Sequence, residues 1–229
     1  MAPQPLSRVK RDASFHWGTG VLTPYPHLCC IITETISFGS QVEFNWSAIL
    51  VHLLQSDART GMAMYEALSG GEGRRAALEG AAKVALSIED FRLFKAVEKA
   101  LAPARNVRNR FAHHVWGATD EIPDALLLID PQCLRQLELE QAFGLRTPPD
   151  ENRSLIIVWK ERDLIAARDS NQESCVILGI LGDALAAQSI KRPYIDEVSR
   201  QKLISYPAIA QALAKLTKQQ KAETPNKLS

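Results

Sequence analysis

Along most of this 229-residue chain the apolar positions recur with the period of a helix rather than that of a strand. From about Leu28 to Gln55 there is no proline. Ile32, Ile36, Gly39, Trp46, Leu50 and Leu53 follow one another there at steps of three, four or seven. Position 43 is the missing member of that stripe, and it is Glu43. Asp57 is placed to cap a short helix over 59–68, which Gly70-Gly71 would end. Another helix is expected from Glu72 to Leu86. Ser87, with Glu89 and Asp90 after it, then starts a longer one. Its stripe reads Phe91, Phe94, Val97, Leu101, Ala104, Arg108, Phe111 and Val115, and Gly117 closes it. Pro103 lies inside the run and should kink the helix or split it in two.

Beyond Gly117 the period changes. Ala-Leu-Leu-Leu-Ile at 125–129 and Ser-Leu-Ile-Ile-Val-Trp at 154–159 predict two short strands. Pro131, Pro148 and Pro149 lie between them, with a helical turn over 133–143. A helix from about Lys160 to Ser189 follows, Pro193 ends it, and Pro207 opens a small helix through Leu216. The fold class predicted is mainly α: a bundle of four to five helices with a small two-strand hairpin inserted at about 124–159. Residues 1–26 hold Pro3, Pro5, Pro24 and Pro26 and read as an irregular arm packed at Trp17. Residues 27–190 form the bundle domain, and 191–229 a C-terminal extension with a short helix.

Composition narrows this picture. Hydrophobic residues make up 46% and charged residues 23%, the mix of a globular domain with a core. The stretch 176–187 is too short for a membrane span and carries Asp183, and the first residues lack the apolar run of a secretion signal. A soluble cytoplasmic protein is expected. Cys29, Cys30, Cys133 and Cys175 form no C-x-x-C pair and have no histidine at zinc spacing, so reduced, buried thiols are expected and no metal. The net charge is +1, but residues 191–229 hold eight Lys/Arg against three acidic residues, which leaves the rest of the chain net negative. That excludes a basic nucleic-acid domain by composition and makes the tail a solvated extension.

Phosphate-loop, dinucleotide, nucleophile-elbow and H-E-x-x-H patterns are absent. His16, His27 and His52 stand alone, and the Gly70–Arg75 stretch reads as a flexible loop between helices. Residues 104–116 differ, with Arg105, Arg108, Arg110, Asn106, Asn109, His113 and His114 within three helical turns. Arg108 stands on an apolar stripe, where a charge is costly unless paired. Glu43 interrupts the other long stripe in the same way, so the two are expected to meet.

Arg108-Asn109-Arg110-Phe111-Ala112-His113 resembles the R-N-x-x-x-H form of the motif of HEPN domains (higher eukaryotes and prokaryotes nucleotide-binding), which lies late in a long helix of a helical bundle. The resemblance covers about 28–117. It implies a metal-independent endoribonuclease with a toxin, defence or RNA-processing role, acting on single-stranded RNA and needing no cofactor. By that resemblance Arg108 stabilises the phosphate, His113 is the acid or base, and Asn109, four residues before His113 on the same helical face, orients its ring. His114 also lies within the motif's spacing from Arg108. Glu43 supports the site, while Arg105, Arg110 and Lys99 form a phosphate-binding rim. One histidine does not easily serve both sides of a phosphorus, so a homodimer facing two such helices is expected, with an antitoxin protein as a further partner. The alternative is a non-catalytic HEPN-like module that binds a nucleotide or a partner protein.

Overall fold

The computed structural model describes residues 3–18, 20–143, 153–186 and 194–223. The elements run β1 (Gln4–Pro5), α1 (Leu6–Val9), β2 (His16–Trp17), α2 (Pro26–Leu54), α3 (Ala58–Ala67), α4 (Gly70–Ala85), α5 (Ile88–His113), β3 (Val115–Ala118), β4 (Ala125–Ile129), α6 (Pro131–Ala142), β5 (Ile157–Lys160), α7 (Glu161–Ala186), α8 (Glu197–Ile204) and α9 (Pro207–Glu223). The protein is mainly helical with a small antiparallel sheet, and it divides into two compact units. Unit 1 comprises residues 1–38 and 104–172, and unit 2 comprises 39–103 and 173–229.

Unit 1 is organised around β4. In place of a two-strand hairpin, five strands form one antiparallel sheet in the order β1-β5-β4-β3-β2. All five residues of β4 are buried, because both faces of the sheet are covered. Successive side chains of a strand point to opposite faces. Leu126 and Leu128, with Trp159, therefore join Leu28, Ile31, Ile32, Phe111 and Leu164 of the helices in one cluster. Ala125, Leu127 and Ile129, with Val158, join Leu6, Ala13, Ile122 and Ile156 in another, against which Leu134 and Leu137 of α6 pack.

The N-terminal arm is not irregular throughout, since it supplies both edge strands. Leu6 N–H donates to the Ile156 carbonyl at 2.8 Å, and the Glu121 carboxylate accepts from the Ser14 N–H and hydroxyl at 3.1 Å each. Trp17 is packed, as expected, and it lies over Gly117, its partner in the β2–β3 register. A Cβ on Gly117 would stand 2.2 Å from the Trp17 ring. Gly117 thus belongs to a strand and does not close a helix. α5 stops at His113, and Val115 and Trp116 leave the helical stripe for β3.

Unit 2 is built from helices. One cluster joins Trp46, Ile49, Leu50 and Leu53 of α2 with Phe94 and Val97 of α5, Leu178 and Leu181 of α7, and shorter helices. Asp57 caps α3 as expected, accepting from Thr60 N–H at 3.0 Å. Ser87 likewise receives the Asp90 N–H at 3.1 Å at the start of α5. Pro103 removes one donor without splitting α5, whose residues on either side of it, Leu101 and Ala104, are buried. The C-terminal region is more than a solvated extension. Asp196 caps α8, and Ile195, Leu203, Ile209 and Ala212 enter the helical core. Arg200 reaches the nearly buried Asp90 at 2.5 Å. α7 ends at Ala186 in the described residues, and the expected roles of Pro148, Pro149, Lys191, Arg192, Pro193 and Lys227 lie outside them.

The four cysteines are free, but none is fully buried and Cys30 is exposed. Among the described residues no helix is long and apolar enough to cross a membrane.

Two stability effects are expected. Gly117→Ala must displace the Trp17 ring or the strand and should cost about 1–3 kcal/mol in urea unfolding, with a change in tryptophan fluorescence. Arg200→Ala leaves the Asp90 carboxylate, among the described residues, with the Ser87 hydroxyl as its side-chain partner. It should cost about 2 kcal/mol, less than a fully buried pair because Arg200 keeps some exposure.

Candidate functional site

The end of α5 is set by one aromatic side chain. Phe111 is 2% exposed. Its ring meets Trp116 edge-on at 5.2 Å between centroids and Trp159 at 4.7 Å. The indole N–H of Trp116 donates back to the Phe111 carbonyl at 3.3 Å and satisfies one of the acceptors a helix end leaves open. The His114 N–H donates to the Arg110 carbonyl at 2.8 Å, the last helical bond before β3.

With Phe111 turned inward, the 100° step of the helix decides where its neighbours go. Asn109 and His113, two positions to either side, fall on the outer face and are exposed, as is Arg110. Arg105 and Arg108 are half-buried. Arg108 Nη1 donates to Asn109 Oδ1 at 3.1 Å, so the carboxamide oxygen engages the guanidinium, where it was expected to orient the His113 ring. All five motif-region residues from Arg108 to His114 that carry candidate chemistry therefore lie in unit 1.

Glu43 takes partners within unit 2. Its carboxylate accepts from the Tyr65 hydroxyl at 3.0 Å and lies 3.6 Å from Arg74, whose guanidinium stacks 4.9 Å over the Tyr65 ring. A charge on an apolar stripe is held by groups from shorter helices, which the stripe itself does not reveal. Lys99 is exposed and, like Glu43, belongs to unit 2.

One residue outside the motif joins the site. The antiparallel register that pairs Val115 with Ile129 brings His114 opposite Asp130. His114 Nε2 lies 3.7 Å from Asp130 Oδ2, with 24% of the imidazole side chain and 46% of the carboxylate side chain exposed. The other oxygen, Oδ1, caps α6 and accepts from the N–H groups of Gln132 at 2.8 Å and Cys133 at 3.4 Å. The sequence signal for Asp130 is an acidic residue directly before Pro131 at a helix start.

Burial lowers the His114 pKa below its usual 6.5; Asp130 opposes that shift, while Arg110 and His113 add to it. The net shift favours the neutral imidazole. Among the described residues no group of three His, Cys, Asp or Glu side chains is arranged to hold a metal ion. An apolar hollow of about 490 Å³ in unit 2, between Leu50, Leu53, Met64, Leu68 and Val84, is lined by no titratable group.

Comparison with family models, curated proteins and solved structures finds no match to this chain.

The depressed His114 pKa has a consequence for folding. The unfolded chain takes up this proton at a higher pH than the folded chain does. Stability from this group is therefore complete above about pH 6.5 and declines as the pH falls through the lowered value. Urea unfolding at pH 7.5 and 5.5 should show a smaller pH-dependent loss in His114→Gln than in the unchanged protein.

Proposed function

We propose that this chain is a metal-independent endoribonuclease of HEPN type acting on single-stranded RNA. The observation that carries the reading is the exposed end of α5, where Arg110, Asn109 and His113 face outward beside half-buried Arg108 and His114. RNA supplies its own nucleophile, the 2′-hydroxyl, so cleavage to a 2′,3′-cyclic phosphate needs only proton transfer and cationic groups around the phosphate. Histidine titrates in the useful range, and a guanidinium can hold two phosphate oxygens through its fork. Arg105 and Arg110 extend the cationic surface along the same helix and hold the sugar–phosphate backbone without reading sequence. A toxin, defence or RNA-processing role and an antitoxin partner belong to this reading.

A second reading, a non-catalytic module that binds a nucleotide or a partner protein, is favoured by the net charge of only +1.

Purified protein incubated with single-stranded RNA in EDTA should produce fragments ending in a 2′,3′-cyclic phosphate. Arg108→Ala and His113→Ala, each shown to be folded by circular dichroism, should slow cleavage about 100-fold or more. Intact RNA after incubation with the folded, unchanged protein would move the assignment to the binding module.

A further inference from the structure

α7 carries an apolar stripe through Leu164, Ala167, Leu178, Leu181 and Leu185, and all five are buried. Position 171 lies on that stripe and holds Asn171, which is 1% exposed. Asparagine is a poor helix former, and a buried carboxamide is costly unless it is hydrogen-bonded. The amide nitrogen, Nδ2, has two acceptors. It donates to the Ala167 carbonyl, one turn back in its own helix, at 3.0 Å, and to the Ala104 carbonyl of α5 at 3.3 Å. A leucine at 171 would continue the stripe and need no partner, so the amide is accounted for by the carbonyl it reaches on α5.

Ala104 stands one residue after Pro103 and one helical turn before Arg108. Proline has no N–H and weakens the helical ladder at its own level, which is where helices bend. In an α-helix the N–H of residue 108 donates to the carbonyl of residue 104. Asn171 therefore ties down the same carbonyl that supports the backbone of Arg108. Phe111 sets the rotation of this segment about its axis. A tie just past the proline sets the direction of the axis, and with it the place of each side chain from Arg105 to His113. Ala104, Arg108, Phe111, Ala167 and Asn171 all belong to unit 1.

We infer that Asn171 is a positioning residue of the ribonuclease site, acting through the Ala104 carbonyl on the placement of the Arg108 guanidinium. This inference rests on the ribonuclease reading above. Asn171 does not touch the RNA. It holds the first turn of the 104–113 segment so that Arg108 meets the phosphate oxygens. A displacement of about 1 Å in such a group can cost about 100-fold in rate.

The test is a double-mutant cycle on cleavage of a single-stranded RNA oligonucleotide in EDTA, with the unchanged protein, Asn171→Ser, Arg108→Ala and the two combined. A serine hydroxyl bonds back to the carbonyl one turn before it. It keeps the bond to Ala167 but is too short to reach Ala104. Asn171→Ser should lower kcat about 10-fold or more with KM little changed. In the Arg108→Ala background the same substitution should lower kcat no further. Loss of folded protein would lower both backgrounds equally, and urea unfolding at the assay temperature measures it separately. Asn171→Leu, which continues the apolar stripe and removes both bonds, should give the same pattern. Amide hydrogen exchange at 104–108 should quicken in both variants without reference to activity. An unchanged kcat, an equal loss in both backgrounds, or unchanged exchange at 104–108 would each overturn this inference and leave the ribonuclease reading standing. Absence of cleavage by the unchanged protein would overturn both.

Discussion

Everything at the candidate site depends on how Phe111 is held. Its ring sits between two tryptophans that arrive from different strands, Trp116 on β3 and Trp159 on β5. Burying a phenylalanine contributes about 2–3 kcal/mol, and edge-on aromatic pairs add about 0.5–1.5 kcal/mol each. The larger effect is geometric. A helix with one residue pinned has no rotational freedom left, so the outward direction of Asn109 and His113 follows from the inward direction of Phe111. The hydrogen bond from the Trp116 indole to the Phe111 carbonyl fixes where the helix stops. It thereby separates His113, on the helix, from His114, on the approach to the strand.

The parts of the fold that were legible in the sequence are those whose signal is local and long. α2 and α5 were readable from apolar spacing, and α3 from Asp57. β4 was readable as a strand from four consecutive large aliphatic residues, but not as the middle of five. β1 and β2 are two residues each, too short to carry any period, and they exist only because β5 and β3 offer them partners. Val115 fits the stripe of α5 by its distance from Phe111, and nothing in the apolar spacing alone tells a helix from a strand that begins there. Asp196 carries a cap signal of the same kind as Asp57, set in a stretch rich in basic residues.

The candidate site divides along the same line. Arg108, Asn109 and His113 are visible because they lie within one helical segment. Asp130 is sixteen positions from His114 in the chain, and only the pairing of β3 with β4 brings the two together. The expected meeting of Glu43 and Arg108 rested on the two stripes alone. A carboxylate on an apolar stripe needs a partner, but the stripe does not say which neighbour provides it. Tyr65 and Arg74, from α3 and α4, do so in unit 2. Asp90 shows the same logic, since its partner Arg200 lies 110 residues away.

The way the sheet ends bears on how this chain behaves in company. β4 and β5 are the kind of dense aliphatic and aromatic segments that readily template cross-strand stacking between molecules. Neither lies at a margin, because each has a neighbour on both sides. The margins are Gln4–Pro5, where proline offers no N–H to a newcomer, and His16–Trp17. Each marginal strand is two residues long, too short to seed a ladder by itself. The N-terminal arm thus doubles as a guard against self-association of the sheet, and trimming it would uncover the adhesive strands while leaving every residue of the candidate site in the chain.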